Sequence, residues 1–275
     1  MTDDTWNIVV TTPDAVVRDY PNILQQMADL KYSAVVIRGF YPLDYCEEVV
    51  RRIEADTTGL VDVKQYFTTG GDKLELRYIG PGLGRYVGDR EGFFRESRLS
   101  DDKFERLYDG LPDARIMVRE MIGRLLPDRE VIVPEEHGER YSDAVIRIAV
   151  EGDSAALHRD SAMEYFKGWM VSQFPTQFSA LVCLPMAESG GELHVYRRRW
   201  TPDDDARRVD GATGYPPSLV EGSPLSTIVP REGDLYIFHP EIFHDIAPMY
   251  GPRNRITQGI FFAMSDTDKR VVTWG

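Results

Sequence analysis

The second half of this chain constrains its fold more than any other feature. Six short β-rich runs, AVIRIAV (144–150), QFSALVCL (177–184), ELHVY (192–196), STIV (226–229), DLYIF (234–238) and RITQGIFFA (255–263), are separated by Gly, Pro and Asp clusters. The first half reads differently. Residues 14–30 show a helical pattern interrupted at Pro21 that resumes with Ile23, Leu24, Met27 and Leu30 on one side. SAVVIR (33–38) is a short strand, and Asp44 and Glu47 have capping-box spacing ahead of the stripe Tyr45, Val49, Val50, Ile53. Further helices are expected from Ser100, with acids in the first turn, and from Pro112 to Pro127. Helices first and short strands afterwards predict an antiparallel sandwich or barrel with helices packed outside it. We expect a single domain over 1–275, in which 1–140 is an N-terminal helical and lid region and 144–264 the β core.

Two stretches break the periodicity. Residues 64–95 mix glycines with aromatics and charges, and the Gly80-Pro81-Gly82-Leu83-Gly84 run lacks the GK[ST] of a phosphate loop. A long loop in a compact domain reads as a lid or binding loop, with Arg77, Tyr78, Arg85 and Tyr86 able to reach a substrate. The polar segment 201–225, rich in Gly and Pro, reads as a flexible insertion and a second possible lid.

Charge and cysteine content narrow the partners. A net charge of −13 disfavours nucleic acid and anionic membrane surfaces. Two cysteines, Cys46 and Cys183, cannot build a disulfide framework or a CxxC site, which fits a reducing, cytoplasmic setting. The start MTDDTWNIVV lacks a basic region followed by an apolar one, and no run of about 18 apolar residues occurs, so a soluble, unprocessed protein is expected, its oligomeric state open.

Chemistry concentrates after residue 146. His158 and Asp160 are two apart, so in an extended segment both side chains share a face. With a downstream histidine they supply two imidazoles and one carboxylate, the set that holds Fe(II) on one face and leaves the other open. Arg147 has the opposite parity to Ile146 and Ile148; if the isoleucines pack against helices, Arg147 faces the same cavity as the ligands. The alternative is a surface arginine. Arg77, Arg85, Arg147 and Arg197, Arg198 and Arg199 could recognise an anionic group, while Tyr165, Phe166, Trp169 and Trp274 could wall an apolar one.

From about residue 144 to 264 the chain resembles the iron(II)/2-oxoglutarate-dependent oxygenase superfamily, which has a double-stranded β-helix (jelly-roll) fold. VIRIAVEGDSAALHRD is similar to that family's strand, glycine turn and HxD. Gly190-Gly191-Glu192-Leu193 is similar to the GGxL segment of the prolyl-hydroxylase-like branch, and REGDLYIFHPEIFHDIAPMYGPRNRIT to its GD-strand, distal histidine, IxP turn and arginine strand. A broader similarity is to carrier-independent iron halogenases and hydroxylases that modify free amino acids or alkaloids.

The resemblance implies that His158, Asp160 and His244 bind iron, with 2-oxoglutarate and O2 taking the remaining positions. His244, preceding the IxP turn, is preferred over His239 and His194. Arg253 matches the arginine that holds the remote carboxylate of 2-oxoglutarate; Thr257 shares its parity, and Arg255 is the fallback. Where prolyl hydroxylases place a tyrosine on that carboxylate, the alignment here puts Val182, so another donor is required. Halogenases of the superfamily have Ala or Gly at the position of Asp160, so the retained carboxylate implies hydroxylation or a related C–H oxidation, with release of succinate and CO2. Three alternatives stand beside this reading. They are a peptide or protein hydroxylase of prolyl-hydroxylase type, a cupin-like metal enzyme that uses no 2-oxoglutarate, and a non-catalytic jelly-roll binding module.

Overall fold

The computed structural model describes residues 6–67, 73–209 and 214–275. Its scaffold is two facing sheets with helices against the outside of the larger one. In chain order the strands are β1 (Ile8–Thr11), β2 (Ala34–Ile37), β3 (Asp62–Phe67), β4 (Lys73–Ile79), β5 (Glu130–Ile132), β6 (Val145–Ala149), β7 (Ala155–His158), β8 (Thr176–Cys183), β9 (Leu193–Arg199), β10 (Leu225–Ile228), β11 (Leu235–Phe238), β12 (Ile242–Ile246), β13 (Arg255–Met264) and β14 (Arg270–Trp274). The large sheet runs β1-β2-β11-β8-β13-β6-β4-β3, with β14 pairing β13 and β5 pairing β14. The small sheet runs β10-β9-β12-β7. Helices α1 (Pro13–Asp19), α2 (Ile23–Ala28), α3 (Leu43–Glu54), α4 (Arg90–Tyr108) and α5 (Ala114–Leu125) belong to the first half, and α6 (Ala162–Tyr165) is a single turn in the second.

Strand alternation sorts the core. On the large sheet Val35, Ile37, Ile146, Ile148, Ala180, Val182, Leu235, Ile237, Ile256 and Ile260 all pack with Met27, Val49, Phe104, Val118, Met121 and Ile122 from the helices. The opposite residues of the same strands, Val36, Leu181, Cys183, Tyr236 and Phe238, meet Leu193, Val195, Ile228 and Ile242 of the small sheet. Because the side-chain period of a strand is two, the isoleucines that face the helices force Arg147 to the space between the sheets. That is the mostly β, jelly-roll architecture expected, with helices outside.

Several local expectations differ. The first half is more than helical, because β1 and β2 extend the large sheet beyond β11, and β3 and β4 extend it beyond β6. The expected loop at 64–95 instead contributes the antiparallel pair β3–β4, a 3-10 turn at Leu83–Arg85 and the first turn of α4; residues 68–72 lie outside the described residues. Helix α4 starts at Arg90, where Asp89 accepts from the Gly92 amide at 2.9 Å, so Ser100 lies mid-helix with its hydroxyl donating to Ser97 O. Helix α3 follows Pro42 without the capping box, and Asp113 caps α5 through the Arg115 amide at 2.8 Å.

The described residues of the 201–225 insertion are mostly exposed but anchored at a few buried points. A capping box of Thr201 and Asp204 starts the 3-10 helix Pro202–Arg207, and Tyr215, Leu219 and Val220 bury against Leu157 and Phe243; residues 210–213 lie outside the described residues. Among the described residues, no helix is long and apolar enough to cross a membrane, and both cysteines are free and buried.

Candidate metal centre

The site forms where β7 and β12 pair antiparallel in the small sheet. His158 and His244 stand directly opposite each other, with ring centroids 4.2 Å apart. Asp160 lies just past the end of β7, its amide donating to Pro240 O at 2.9 Å, which brings the carboxylate Oδ2 to 3.6 Å from His244 Nε2. One donor atom from each of the three lies within 4.8 Å of the others.

Backbone carbonyls orient both rings. Nδ1 of His158 lies 2.7 Å from Ala156 O, and Nδ1 of His244 lies 3.0 Å from Ile242 O. A carbonyl can only accept, so each Nδ1 carries the proton and each Nε2 lone pair is left for a metal. Burial, reinforced by the neighbouring His244, pushes the His158 imidazole down to about 4, so it is neutral at physiological pH. Burial opposes ionisation of Asp160, but the adjacent His244 and His158 imidazoles hold its carboxyl at about 2. The Asp160 side chain is deeply enclosed and still 38% accessible, as expected for a ligand on the floor of an open cavity. Two imidazoles that present Nε2 atoms and one carboxylate fit a divalent iron.

The wall facing the triad comes from β6, β13 and β11. Arg147 of β6 stands opposite Thr257 of β13, and it feels the charge of Asp160. Burial, then repulsion from Arg85, lowers the Arg147 guanidinium to about 10. Arg255, two residues before Thr257 on the same face, is 3% exposed and donates to the Tyr236 hydroxyl at 3.0 Å. Its Nε and the Thr257 hydroxyl are buried without partners. Unmet buried donors of this kind are rare and call for a ligand or water. A guanidinium with a free edge beside a hydroxyl can bind a carboxylate through two parallel bonds.

Not every residue singled out in the sequence joins this cluster. The Arg253 side chain is 53% exposed and pairs with Glu232 at 3.0 Å, because the chain is still in a turn there and strand parity does not apply until Arg255. Arg77 shares the parity of Ile79, not Tyr78, so it leaves the cavity face and pairs with Glu75 at 2.7 Å. Trp169 is core, packed among Phe93, Phe94, Tyr141 and Phe166. The Tyr165 hydroxyl is taken by Arg208, and its ring lies 5.5 Å from the Arg159 guanidinium. His194 bonds Asp245 at 2.9 Å, and the His239 ring packs at a 45° tilt against Phe178, 5.6 Å between centroids. Val182 faces the helices. The tyrosine absent there is matched by Tyr236 on the adjacent strand, which sequence reasoning missed although the alternation of LYIF, with Leu235 and Ile237 outward, assigns Tyr236 inward.

Residues 8–275 match the family described as carrier-protein-independent halogenase WelO5. The chain belongs to that family. WelO5-family membership and the jelly-roll scaffold together put it in the Fe(II)/2-oxoglutarate oxygenase superfamily. Among curated proteins it is similar to leucinostatins biosynthesis cluster protein S of Purpureocillium lilacinum, 27% identical over 144 residues covering 48% of this chain and 58% of that protein. It is also similar to the L-gamma-glutamyl-L-propargylglycine hydroxylase of Streptantibioticus cattleyicolor, 27% identical over 121 residues covering 44% of each. The chain thus spans about half the length of the curated relatives it matches. Its fold is similar to that of an N-substituted L-amino acid dioxygenase from Burkholderia ambifaria in complex with α-ketoglutarate, with TM-score 0.57, 14% identity, and coverage of 93% of this chain and 91% of that one.

Proposed function

We propose that this WelO5-family protein is an Fe(II)/2-oxoglutarate-dependent oxygenase that hydroxylates an unactivated C–H of a small molecule. The observation that carries this reading is Asp160, whose carboxylate completes the ligand set with His158 and His244. Halogenases of the superfamily have Ala or Gly there, which leaves an iron position for halide. With Asp160 as a ligand, a bound iron would have one fewer position for halide, which favours hydroxylation or a related C–H oxidation such as desaturation or cyclisation over halogenation.

The bound metal, 2-oxoglutarate and O2 would together supply an oxidant able to break a C–H bond, with succinate and CO2 as co-products. Every other task falls to the chain. His158, Asp160 and His244 hold the metal on one face. Arg255 and the Thr257 hydroxyl bind the remote carboxylate of 2-oxoglutarate, and the Tyr236 hydroxyl keeps the Arg255 fork aimed at it. A substrate seated between the two sheets would displace water from the metal ligands and present its C–H for oxidation.

The small-molecule reading draws on the relatives named as acting on amino-acid derivatives. Purified protein given Fe(II), 2-oxoglutarate, ascorbate and a panel of amino acids and N-acyl amino acids under air in the presence of chloride should yield, with one of them, succinate and an oxygenated, chlorine-free product. A chlorinated product would overturn the assignment to oxygenation, and turnover without succinate would favour a cupin-like metal enzyme. Asp160→Ala should lower oxygenation at least about 100-fold, the loss expected when a metal ligand is removed; unimpaired turnover by that variant would exclude Asp160 as a ligand.

A further inference from the structure

The cavity holds more positive charge than iron and 2-oxoglutarate can use. Three guanidiniums, those of Arg85, Arg147 and Arg255, interact across it, and the carboxylate that faces Arg147 is Asp160. A divalent metal and a dianionic 2-oxoglutarate cancel one another, so loading the site leaves that excess unchanged. With Arg255 assigned to the cosubstrate, Arg85 and Arg147 remain.

Neither of these two side chains makes a hydrogen bond or ion pair among the described residues. The Arg85 Nη1 atom is buried without a partner. Its guanidinium lies over the Tyr78 ring, 4.6 Å from the centroid, and Tyr78 stands beside Arg147 in strand register. Arg147 is held in place by its surroundings: a Cβ at Gly259 would stand 3.0 Å from its Nη1, and one at Gly82 would stand 3.7 Å from its Nη2. Two neighbouring cations with no ion-pair partner among the described residues, one of them carrying a buried unmet donor, form a site suited to an anion.

We propose that Arg85 and Arg147 clamp a carboxylate of the substrate, so that the molecule oxidised is an acid, such as a free amino acid or a short acyl-amino acid. This rests on the oxygenase reading and adds the substrate's chemical class. The clamp combines one residue from the 3-10 turn Leu83–Arg85 with one from β6, so the acid would be gripped between the β4–α4 connection and the large sheet. Arg147 projects into the space between the sheets that His158 and His244 border, so the acid group and the oxidised carbon would share that space.

The test is calorimetric and anaerobic, on the full chain loaded with Fe(II) and saturating 2-oxoglutarate. The visible absorption of the iron–2-oxoglutarate pair is checked first; if it does not develop, the oxygenase reading fails and this inference with it. The probes are L-leucine and N-acetyl-L-leucine, each beside its amide. The expected result is one equivalent of acid bound, at least tenfold tighter than its amide. Which acid binds separates a free amino acid from a peptide-like substrate. Arg85→Gln should weaken acid binding at least tenfold while 2-oxoglutarate affinity stays within twofold. Arg147→Lys, which keeps the charge inside the sheet but loses the fork, should weaken it likewise. If a loaded protein binds neither acid, or binds acid and amide equally, the clamp is excluded. It is equally excluded if the two variants lose 2-oxoglutarate instead, because the guanidiniums then serve the cosubstrate.

Discussion

At the scale of single residues, two arginines two positions apart have different fates, and the difference is measurable. Arg255 is enclosed with a free Nε beside the Thr257 hydroxyl, whereas Arg253 is half exposed and already paired with Glu232. Arg255→Met should raise the dissociation constant of 2-oxoglutarate at least tenfold, about 1.4 kcal/mol or more. Arg253→Met should change it less than twofold, since an exposed ion pair contributes little. Titration of the iron–2-oxoglutarate absorption compares the two; the reverse ranking would restore Arg253 as the carboxylate ligand. His239 supports a second prediction. Burial, then the Arg199 charge, pushes its imidazole from the ordinary 6.5 down to about 4, and its Nδ1 has no partner. The unfolded chain therefore binds a proton that the folded chain refuses, so His239 destabilises the fold progressively as pH falls from 6.5 towards 4. The full effect is on the order of 3 kcal/mol. His158 adds a shift of the same sign, so urea melts of metal-free protein should show stability falling over that window. His239→Phe should flatten the slope without abolishing it; an unchanged slope would mean that His239 titrates normally.

At the scale of elements, the Gly190-Gly191 pair connects the packing of the turn to the site. Both residues have positive φ, +77° and +73°. A Cβ at Gly190 would stand 1.9 Å from Pro248 O, and one at Gly191 would stand 3.0 Å from Arg255 Cδ. The left-handed conformation alone costs a side chain about 1–2 kcal/mol. Gly190→Ala adds a collision with immovable backbone, so its urea midpoint should drop by the equivalent of more than about 2 kcal/mol. Gly191→Ala meets a flexible side chain, and its larger effect should be on 2-oxoglutarate affinity through a displaced Arg255. Equal stability losses with unchanged 2-oxoglutarate binding would argue against that coupling. The same elements show what the sequence could disclose. Strand parity in AVIRIAV is a local property, and it directs Arg147 between the sheets because burial of the other sheet face enforces the alternation. Asp160 lies beyond the end of β7, and its placement beside His244 depends on the contact of its amide with Pro240 O, which no local pattern encodes. Arg253 matches the family motif by its spacing from His244, yet it stands in a turn ahead of Arg255 and pairs with Glu232. Residues 73–79 conceal a strand because β4 has a partly exposed face near the sheet edge, so its sequence KLELRYI lacks an apolar run. Trp169 was ambiguous for a different reason: an aromatic cluster and a substrate wall have the same composition, and only the fold assigns one to the core.

At the scale of the whole molecule, the three proposed metal ligands come from strands joined through the small sheet, so metal binding and sheet pairing would be thermodynamically coupled. His158 ends β7, Asp160 follows it, and His244 lies on β12. The β7–β12 pairing carries a register shift between His244 and Ile246, and β7 is the outermost strand of its sheet. An edge strand with an irregular ladder is among the less secure parts of a fold, and an ion bridging both strands holds it in place. A ligand that binds only the folded state stabilises it by about 2.7 kcal/mol at a hundredfold excess over its dissociation constant. Saturation with Fe(II) under argon should therefore raise the melting temperature by several degrees, and a chelator should reverse the gain. Hydrogen exchange should localise the added protection to β7 and β12, leaving the helix-packed core of the large sheet unchanged. Asp160→Ala should lose most of the thermal gain even if it folds as well as the parent chain, which separates a defect in metal binding from a defect in folding. Protection spread evenly over both sheets, or a gain that survives in Asp160→Ala, would mean that the ion binds somewhere other than between these two strands.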